Sequence, residues 1–147
     1  MSKRMIRDVI AGRPLVTCTP DMSVRAACRL MADNRIGAVL VVDRQRRIVG
    51  IFTERDAMNK ILAPGRDPDK TRLSEVMVSD VQTISANRSL AYALYLMAGG
   101  GFRHVPVLEE DGSPVGMVSA RDALGDDIVE VEREMKRLEE IEGSIGY

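Results

Sequence analysis

Two short segments of the chain place a hydroxyl side chain three residues before an aspartate. VGIFTERDA, residues 49–57, contains Thr53 and Asp56, and VGMVSARDA, residues 115–123, contains Ser119 and Asp122. Where a strand leads into a helix, a hydroxyl residue followed three residues later by an acid forms a capping box. That box favours Glu or Gln at its last position, whereas both segments carry the shorter Asp. Helix capping is therefore one of two open interpretations.

The second interpretation is nucleotide binding at the same helix start. Free backbone N–H groups at a helix N-terminus attract anions such as phosphate. A carboxylate can accept both hydrogens of a ribose cis-diol. A hydroxyl residue can cap the helix and still line a binding cleft, so the two interpretations are compatible. Arg55 and Arg121 precede the aspartates and are candidates for phosphate contact, with a solvated surface arginine as the alternative.

The two segments belong to a longer internal repeat. When residue 49 is placed on residue 115, a shift of 66 positions, the match extends without a gap over roughly forty residues. Apolar positions then fall on apolar positions, and the paired residues include Thr17 with Thr83, Ser23 with Ser89, and Val39 with Val105. A match of this length is hard to attribute to chance, and it indicates a tandem duplication.

Each copy is expected to fold as strand, helix, strand, strand, helix. Helical spacing covers residues 20–34 and 87–100, and helices are also predicted from Glu54 and after Ser119. Short extended pieces at LVT and VQT come first, and β-branched runs around the turns DRQRR and EEDGSP predict one hairpin per copy. A three-stranded sheet with helices on one side leaves apolar surface uncovered. The expected fold is therefore α+β, with the copies packed about a pseudo-twofold axis.

Composition narrows the classes of function. The chain has 147 residues, 45% hydrophobic and 29% charged, which is ordinary for a globular protein. A net charge of -1 and the lack of Trp argue against nucleic-acid binding. Cys18, Cys28 and the single His104 do not have zinc-site spacing, so free thiols and no metal are expected. No signal peptide or membrane span is apparent, and a cytoplasmic location is expected.

The order of the elements and the repeated motif resemble the CBS domain, named after cystathionine beta-synthase. The motif is G-hydrophobic-x-[T/S]-x-x-D at residues 50–56 and 116–122, preceded by the strands AVLVVD and HVPVLE. The resemblance covers roughly residues 5–124, and two copies make a CBS pair. The expected organisation is a first repeat at 5–63, a linker at 64–73, a second repeat at 74–125 and an amphipathic helix at 126–147.

The resemblance implies a regulatory module, not an enzyme, that binds adenosine-containing ligands in clefts between the repeats. The implied ligands are AMP, ADP or ATP, and in some members NAD or S-adenosylmethionine, with no obligatory cofactor. The implied binding residues are Asp56 and Asp122 at the ribose hydroxyls, Thr53 and Ser119 beside them, Thr17 and Thr83 at the adenine, and Arg103 and His104 at the phosphates. The first copy has Gly37 and Ala38 where the second has this basic pair, so the two clefts are expected to differ in phosphate affinity.

The tail carries an apolar stripe on a charged helix, formed by Ile128, Val131, Met135, Leu138 and Ile141. The stripe can pack on its own domain or pair with a second subunit, and a homodimer is favoured. Two functional alternatives remain beside nucleotide sensing. One is a dimeric protein-interaction module without a ligand, in which the motifs only cap helices. The other, an enzyme acting on a nucleotide, lacks a recognisable acid-base pair or metal site. Any protein target is unknown from the sequence.

Overall fold

The structure is a computed structural model. It describes the backbone of residues 4–144 and the side chains of these residues except 125–128, 143 and 144. It confirms the α+β class, because helices accompany two three-stranded sheets. The chain divides into two compact units. One comprises Pro14–Gln82, and the other comprises Met1–Arg13 together with Thr83–Tyr147.

The unit of residues 14–82 contains the first sheet. Its elements are β1 (Thr17–Cys18), α2 (Val24–Asn34), β2 (Ala38–Val42), β3 (Ile48–Thr53), α3 (Glu54–Ala57), a π-helical turn (Met58–Leu62) and α4 (Leu73–Val76). β1 runs parallel to the central strand β2, and β3 runs antiparallel to it. The predicted helix within residues 20–34 begins after Ser23, whose Oγ accepts a hydrogen bond from the Ala26 N–H at 3.1 Å. The core includes Val24, Val39, Val41, Phe52 and Leu73.

The other unit repeats this arrangement with a different ending. Its elements are α1 (Ile6–Ile10), β4 (Ile84–Ser85), α5 (Leu90–Gly100), β5 (His104–Leu108), β6 (Pro114–Ser119), a 3-10 turn (Ala120–Asp122) and α6 (Gly125–Ser144). β4 is parallel to the central β5, and β6 is antiparallel to it. The core includes Ile6, Ile84, Leu90, Val105 and Val118.

The motif is followed by different structures in the two copies. After Thr53 the predicted helix is present as α3, and it continues into the π-helical turn. After Ser119 the predicted helix is only a 3-10 turn, so that expectation was wrong in extent. The turn ends because Ala123 has extended backbone, with ψ 131°. The chain then enters α6, which lies against α5.

Helix α6 buries part of the predicted apolar stripe within its own unit. Val131 and Leu138 are half-buried, while Met135 and Ile141 are 41% and 43% exposed. The predicted stripe residue Ile128 lies outside the described side chains. Packing on the same unit therefore accounts for two of the stripe residues.

Two short helices that the sequence analysis did not predict pack on the glycine of each motif. In the unit of residues 14–82, α4 lies against β3, and Ile51 and Val78 exchange two backbone hydrogen bonds of 2.9 Å. In the other unit, α1 lies against β6. A Cβ on Gly50 would be 2.5 Å from Met77 Sδ, and a Cβ on Gly116 would be 2.9 Å from Ile10 Cδ1. Glycine at these positions lets the helices approach the strands closely.

Both cysteines are free thiols, as predicted. Cys18 is buried in β1, and this burial raises its pKa to about 11. Burial also raises the pKa of the half-buried Cys28, although the nearby Arg25 partly opposes the shift. Among the described residues, no helix is both long and apolar enough to cross a membrane.

We expect Gly116→Ala to lower the free energy of unfolding by about 1–3 kcal/mol, the usual range for overpacking. The added Cβ would lie 3.1 Å from Ile10 Cβ, which is fixed to the α1 backbone. Gly50→Ala should cost less, because a rotamer change of the unbranched Met77 leaves only its Cβ, at 3.2 Å, close to the added atom, whereas Ile10 also has its branched Cγ2 at 3.2 Å. Urea unfolding of both variants measures the difference. Gly99→Ala is the matched control, since its added Cβ meets no atom within 4 Å. Equal losses for Gly50→Ala and Gly116→Ala would contradict the prediction.

Candidate functional site

The first motif forms a closed capping box where β3 passes into α3. Thr53 has extended backbone, and its Oγ1 accepts a hydrogen bond from the Asp56 N–H at 3.1 Å. In return, Asp56 Oδ2 accepts a hydrogen bond from the Thr53 N–H at 3.0 Å. The helix start thus holds the carboxylate through one of its two oxygens.

The second motif repeats this arrangement at the 3-10 turn. Asp122 Oδ2 accepts a hydrogen bond from the Ser119 N–H at 2.8 Å. Ser119 Oγ accepts one from the Arg121 N–H at 3.2 Å. The capping interpretation is therefore confirmed in both copies, and the shorter Asp is long enough to complete the box.

The second oxygen of Asp56 faces a lysine. Asp56 Oδ1 lies 3.5 Å from Lys60 Nζ, one helical turn further along the chain. The same ammonium group donates a hydrogen bond of 2.8 Å to the backbone carbonyl of Val76, at the end of α4. The Asp56 side chain is 15% exposed, so a small part of the carboxylate surface reaches solvent.

The second oxygen of Asp122 faces an arginine from a distant part of the chain. Asp122 Oδ1 lies 2.8 Å from Arg13 Nη1, with the Asp122 side chain 9% exposed and the Arg13 side chain 48% exposed. Arg4 Nη1 also donates a hydrogen bond of 3.0 Å to the backbone carbonyl of Asp122. Arg4 and Arg13 flank α1, so the segment around that helix holds the turn from two sides. Sequence reasoning missed Arg4, Arg13 and Lys60.

The predicted phosphate pair lies beside the second cap. His104 is directly opposite Ser119 in the β5–β6 ladder, and the Arg103 carbonyl accepts a hydrogen bond of 3.0 Å from the Ala120 N–H. Arg103 is exposed and His104 half-buried.

In the first copy the equivalent positions are Gly37 and Ala38. Ala38 is opposite Thr53, and the Gly37 carbonyl accepts a hydrogen bond of 3.0 Å from the Glu54 N–H. The backbone arrangement is therefore the same in both copies, while the arginine and histidine side chains are present only in the second.

The predicted adenine residues lie on or next to the outer strand that the central strand separates from the cap in each sheet. Thr17 begins β1 and is half-buried, and Thr83 directly precedes β4 and is exposed. Each sheet has the order outer, central, outer, so one strand separates Thr17 from Thr53. Arg55 and Arg121 are exposed beside the caps. Thr53 with Asp56 and Ser119 with Asp122 are thus joined by direct contacts, while Thr17 and Thr83 stand one strand away.

The described part of the chain contains no cluster of side chains that is suited to bind a metal ion. No group of three or more His, Cys, Asp and Glu side chains there is arranged to hold an ion.

Comparison with known proteins places these features in a family. The sequence profile of the CBS domain matches residues 6–63 and 73–128. An uncharacterized protein from Methanopyrus kandleri is 31% identical over 137 residues, which span 91% of this chain and 67% of that protein. A CBS-domain containing protein from Agrobacterium tumefaciens is 35% identical with a TM-score of 0.73, and the match covers 80% of this chain and 94% of that one.

Two further solved structures share the fold and were determined with ligands. The CBS domain pair of the protein MJ0100, in complex with 5′-methylthioadenosine and S-adenosyl-L-methionine, is 25% identical with a TM-score of 0.72, covering 82% of this chain and 93% of that one. A CBS domain protein from Pyrobaculum aerophilum, complexed with AMP, is 24% identical with a TM-score of 0.80, covering 88% and 98%. The duplicated caps, the two matching sheets and these similarities lead to one conclusion: the chain belongs to the CBS domain family and carries a tandem CBS pair.

Proposed function

We propose that the protein is a regulatory module that binds an adenosine-containing ligand, with Asp56 and Asp122 as the acceptors for ribose hydroxyls. One observation carries the proposal. In each copy the backbone cap uses one carboxylate oxygen, whereas the other oxygen faces a side-chain cation. A side-chain ion pair can be exchanged for a ligand contact without unfolding the helix start.

The remaining hydrogen-bonding capacity of the carboxylates suits a diol. An ionised carboxylate offers about four lone-pair sites, and the cap occupies one of them. Two neighbouring ribose hydroxyls can therefore donate to the same side chain while the cap stays intact. Hydrogen bonds to a charged acceptor are stronger than those between neutral groups, so each aspartate can contribute strongly to affinity.

The rest of the ligand is assigned by the positions around each cap. Thr17 and Thr83 are proposed to border the adenine, and Thr53 and Ser119 the ribose. Arg103 and His104 are proposed to contact phosphate, as are Arg55 and Arg121. The first copy has no cation where the second has Arg103 and His104, so the phosphate of AMP, ADP or ATP should favour the Asp122 site.

The proposed ligand class rests on the adenosine moiety. The two ligands of MJ0100 both contain adenosine, and AMP, ADP, ATP and NAD share it with them. For binding to regulate, the ligand must favour one conformation or one partner-binding state over another. We propose that the protein acts in the cytoplasm as a homodimer and that a protein target reads its occupancy. The exposed Met135 and Ile141 of α6 are available apolar surface for such contacts.

A ligand-independent interaction module is the second candidate. It is favoured by the completeness of both caps, because each aspartate already has a backbone partner and a cationic partner. In that case the aspartates serve stability alone. The two candidates both include capping, and they differ in whether the unmodified protein binds an adenosine-containing ligand.

We expect Asp122→Ala to lower the free energy of unfolding by about 0.5–2 kcal/mol, because it removes the cap acceptor. Asp122→Asn should lose less, since the amide oxygen can still accept the Ser119 N–H. Urea unfolding compares the pair, and Asp56→Ala with Asp56→Asn repeats the test on the first copy. Asparagine and alanine variants of equal stability would contradict the capping role.

We expect AMP or ATP to bind the unmodified protein, with Asp122→Ala weakening one site and Asp56→Ala the other. The expected loss is roughly 1.5–3 kcal/mol at each site, the range for hydrogen bonds to a charged group. Isothermal titration calorimetry measures both affinities, and NAD and S-adenosylmethionine are titrated in parallel. Variants that melt at least 10 °C above the titration temperature serve as the folded control. Unchanged affinity in the double variant would refute the ribose assignment, and no binding of any of the four ligands would favour the interaction module.

A further inference from the structure

We infer that Arg13 determines whether the Asp122 site prefers a phosphorylated ligand over a bare nucleoside. The inference rests on the proposed function and adds a residue to it. Arg13 lies outside both motifs, on the segment that follows α1, and its guanidinium contacts the carboxylate oxygen that the cap leaves available.

The contact between Arg13 and Asp122 stands where a ribose hydroxyl would have to bind. Arg13 Nη1 is 2.8 Å from Asp122 Oδ1, so the two side chains form a close ion pair. Asp122 is nearly buried at 9% exposure, so little of its carboxylate remains uncovered. A ribose that binds through Oδ1 must therefore share that oxygen with the guanidinium or displace it.

Displacement has different consequences for a nucleoside and for a nucleotide. A nucleoside offers the released guanidinium no anion. A nucleotide brings a phosphate on the same sugar, and the planar fork of arginine can bind phosphate through two parallel N–H groups. The Arg13 side chain is 48% exposed, so it has freedom to change rotamer. Arg13 thus opposes adenosine and assists AMP.

The backbone holds Arg13 close to the site while its side chain moves. The Arg13 N–H donates a hydrogen bond of 3.0 Å to the Ile10 carbonyl, and Gly12 between them has φ 77°. Ile10 itself packs on Gly116 of β6. The turn after α1 is therefore anchored to the strand that leads to Ser119, and a swing of the side chain does not require the segment to leave.

The Asp56 site differs on this point. Lys60 is 3.5 Å from Asp56 Oδ1, and it also donates to the Val76 carbonyl at 2.8 Å. Its ammonium keeps that second partner when a ribose takes the carboxylate oxygen. Breaking the cation–carboxylate contact therefore costs less free energy at the Asp56 site when a nucleoside binds. The discrimination assigned to Arg13 belongs to the Asp122 site.

The test compares AMP and adenosine by isothermal titration calorimetry in the Asp56→Ala background, where the Asp56 site is weakened and the tighter binding event reports the Asp122 site. With Arg13 present, AMP should bind more tightly than adenosine. In Arg13→Gln, AMP should weaken and adenosine should tighten, so that the preference falls by about tenfold or more. Arg13→Lys, which keeps the charge but loses the fork, should retain part of the preference.

Arg7→Gln is the matched control. It removes an arginine from the same N-terminal segment, but the ion pair of Arg7 joins Glu109. The preference for AMP should be unchanged in this variant. A preference that survives Arg13→Gln, or equal weakening of both ligands, would overturn the role of Arg13 while leaving the proposed function standing. Failure of the unmodified protein to bind either ligand would overturn the proposed function, and this inference with it.

Discussion

The first backbone N–H groups after β3 and β6 have no hydrogen-bond acceptor within the helix or turn that begins there. The need to satisfy these N–H groups determines the arrangement of both candidate sites. Thr53 and Asp56 satisfy these N–H groups by reciprocal contacts. In the second copy Asp122 accepts from the Ser119 N–H, while Ser119 Oγ accepts from the Arg121 N–H. A cap also fixes the orientation of its carboxylate, because one oxygen is tied to the backbone. The other oxygen then points in a defined direction. A motif that caps a helix start therefore also presents its second carboxylate oxygen, in a fixed orientation, to the side chain opposite it.

The groups opposite are held by the two short helices. Helix α4 ends at Val76, whose carbonyl holds Lys60, and the turn after α1 carries Arg13. Each helix approaches its sheet at a motif glycine, where an added Cβ would lie 2.5 Å from Met77 Sδ at Gly50 and 2.9 Å from Ile10 Cδ1 at Gly116. The glycine and the aspartate of the repeated motif therefore act together. The glycine lets the short helix pack closely on the strand. The aspartate faces a cation that is bound by the end of that helix or lies on the turn after it.

Much of this fold could be predicted from the sequence because its signals are local. Ser23 and Ser89 begin helices as capping residues, and Gly101 ends α5 in the left-handed region with φ 71°. Helices α1 and α4 escaped prediction because they contain five and four residues, too few for periodicity to be informative. Their stability comes from packing on Gly116 and Gly50, which are distant in the chain.

The candidate sites, like the fold, were predictable only where their signals are local in the sequence. The caps were visible as a spacing of three residues, and the pairing of Lys60 with Asp56 follows the ordinary i, i+4 rule for helices. The pairing of Arg13 with Asp122 leaves no comparable trace, because it joins the N-terminal segment to the second copy. The length of the helix after Ser119 also depended on a single residue, Ala123, whose backbone turns the chain toward α6.

The two copies share a cap but differ in the origin of the cation that faces it, and this difference has a physical consequence for a duplicated module. Lys60 belongs to the same helical segment as its aspartate, so breaking their contact changes only local structure. Arg13 belongs to the segment that α1 anchors, and Arg4 on the other side of α1 binds the carbonyl of the same aspartate. A ligand that takes Asp122 Oδ1 removes one of these two attachments of the α1 segment, whereas a ligand on Asp56 leaves both in place. Under the proposed function, occupancy of the second copy therefore changes a contact of the α1 segment, and occupancy of the first copy does not.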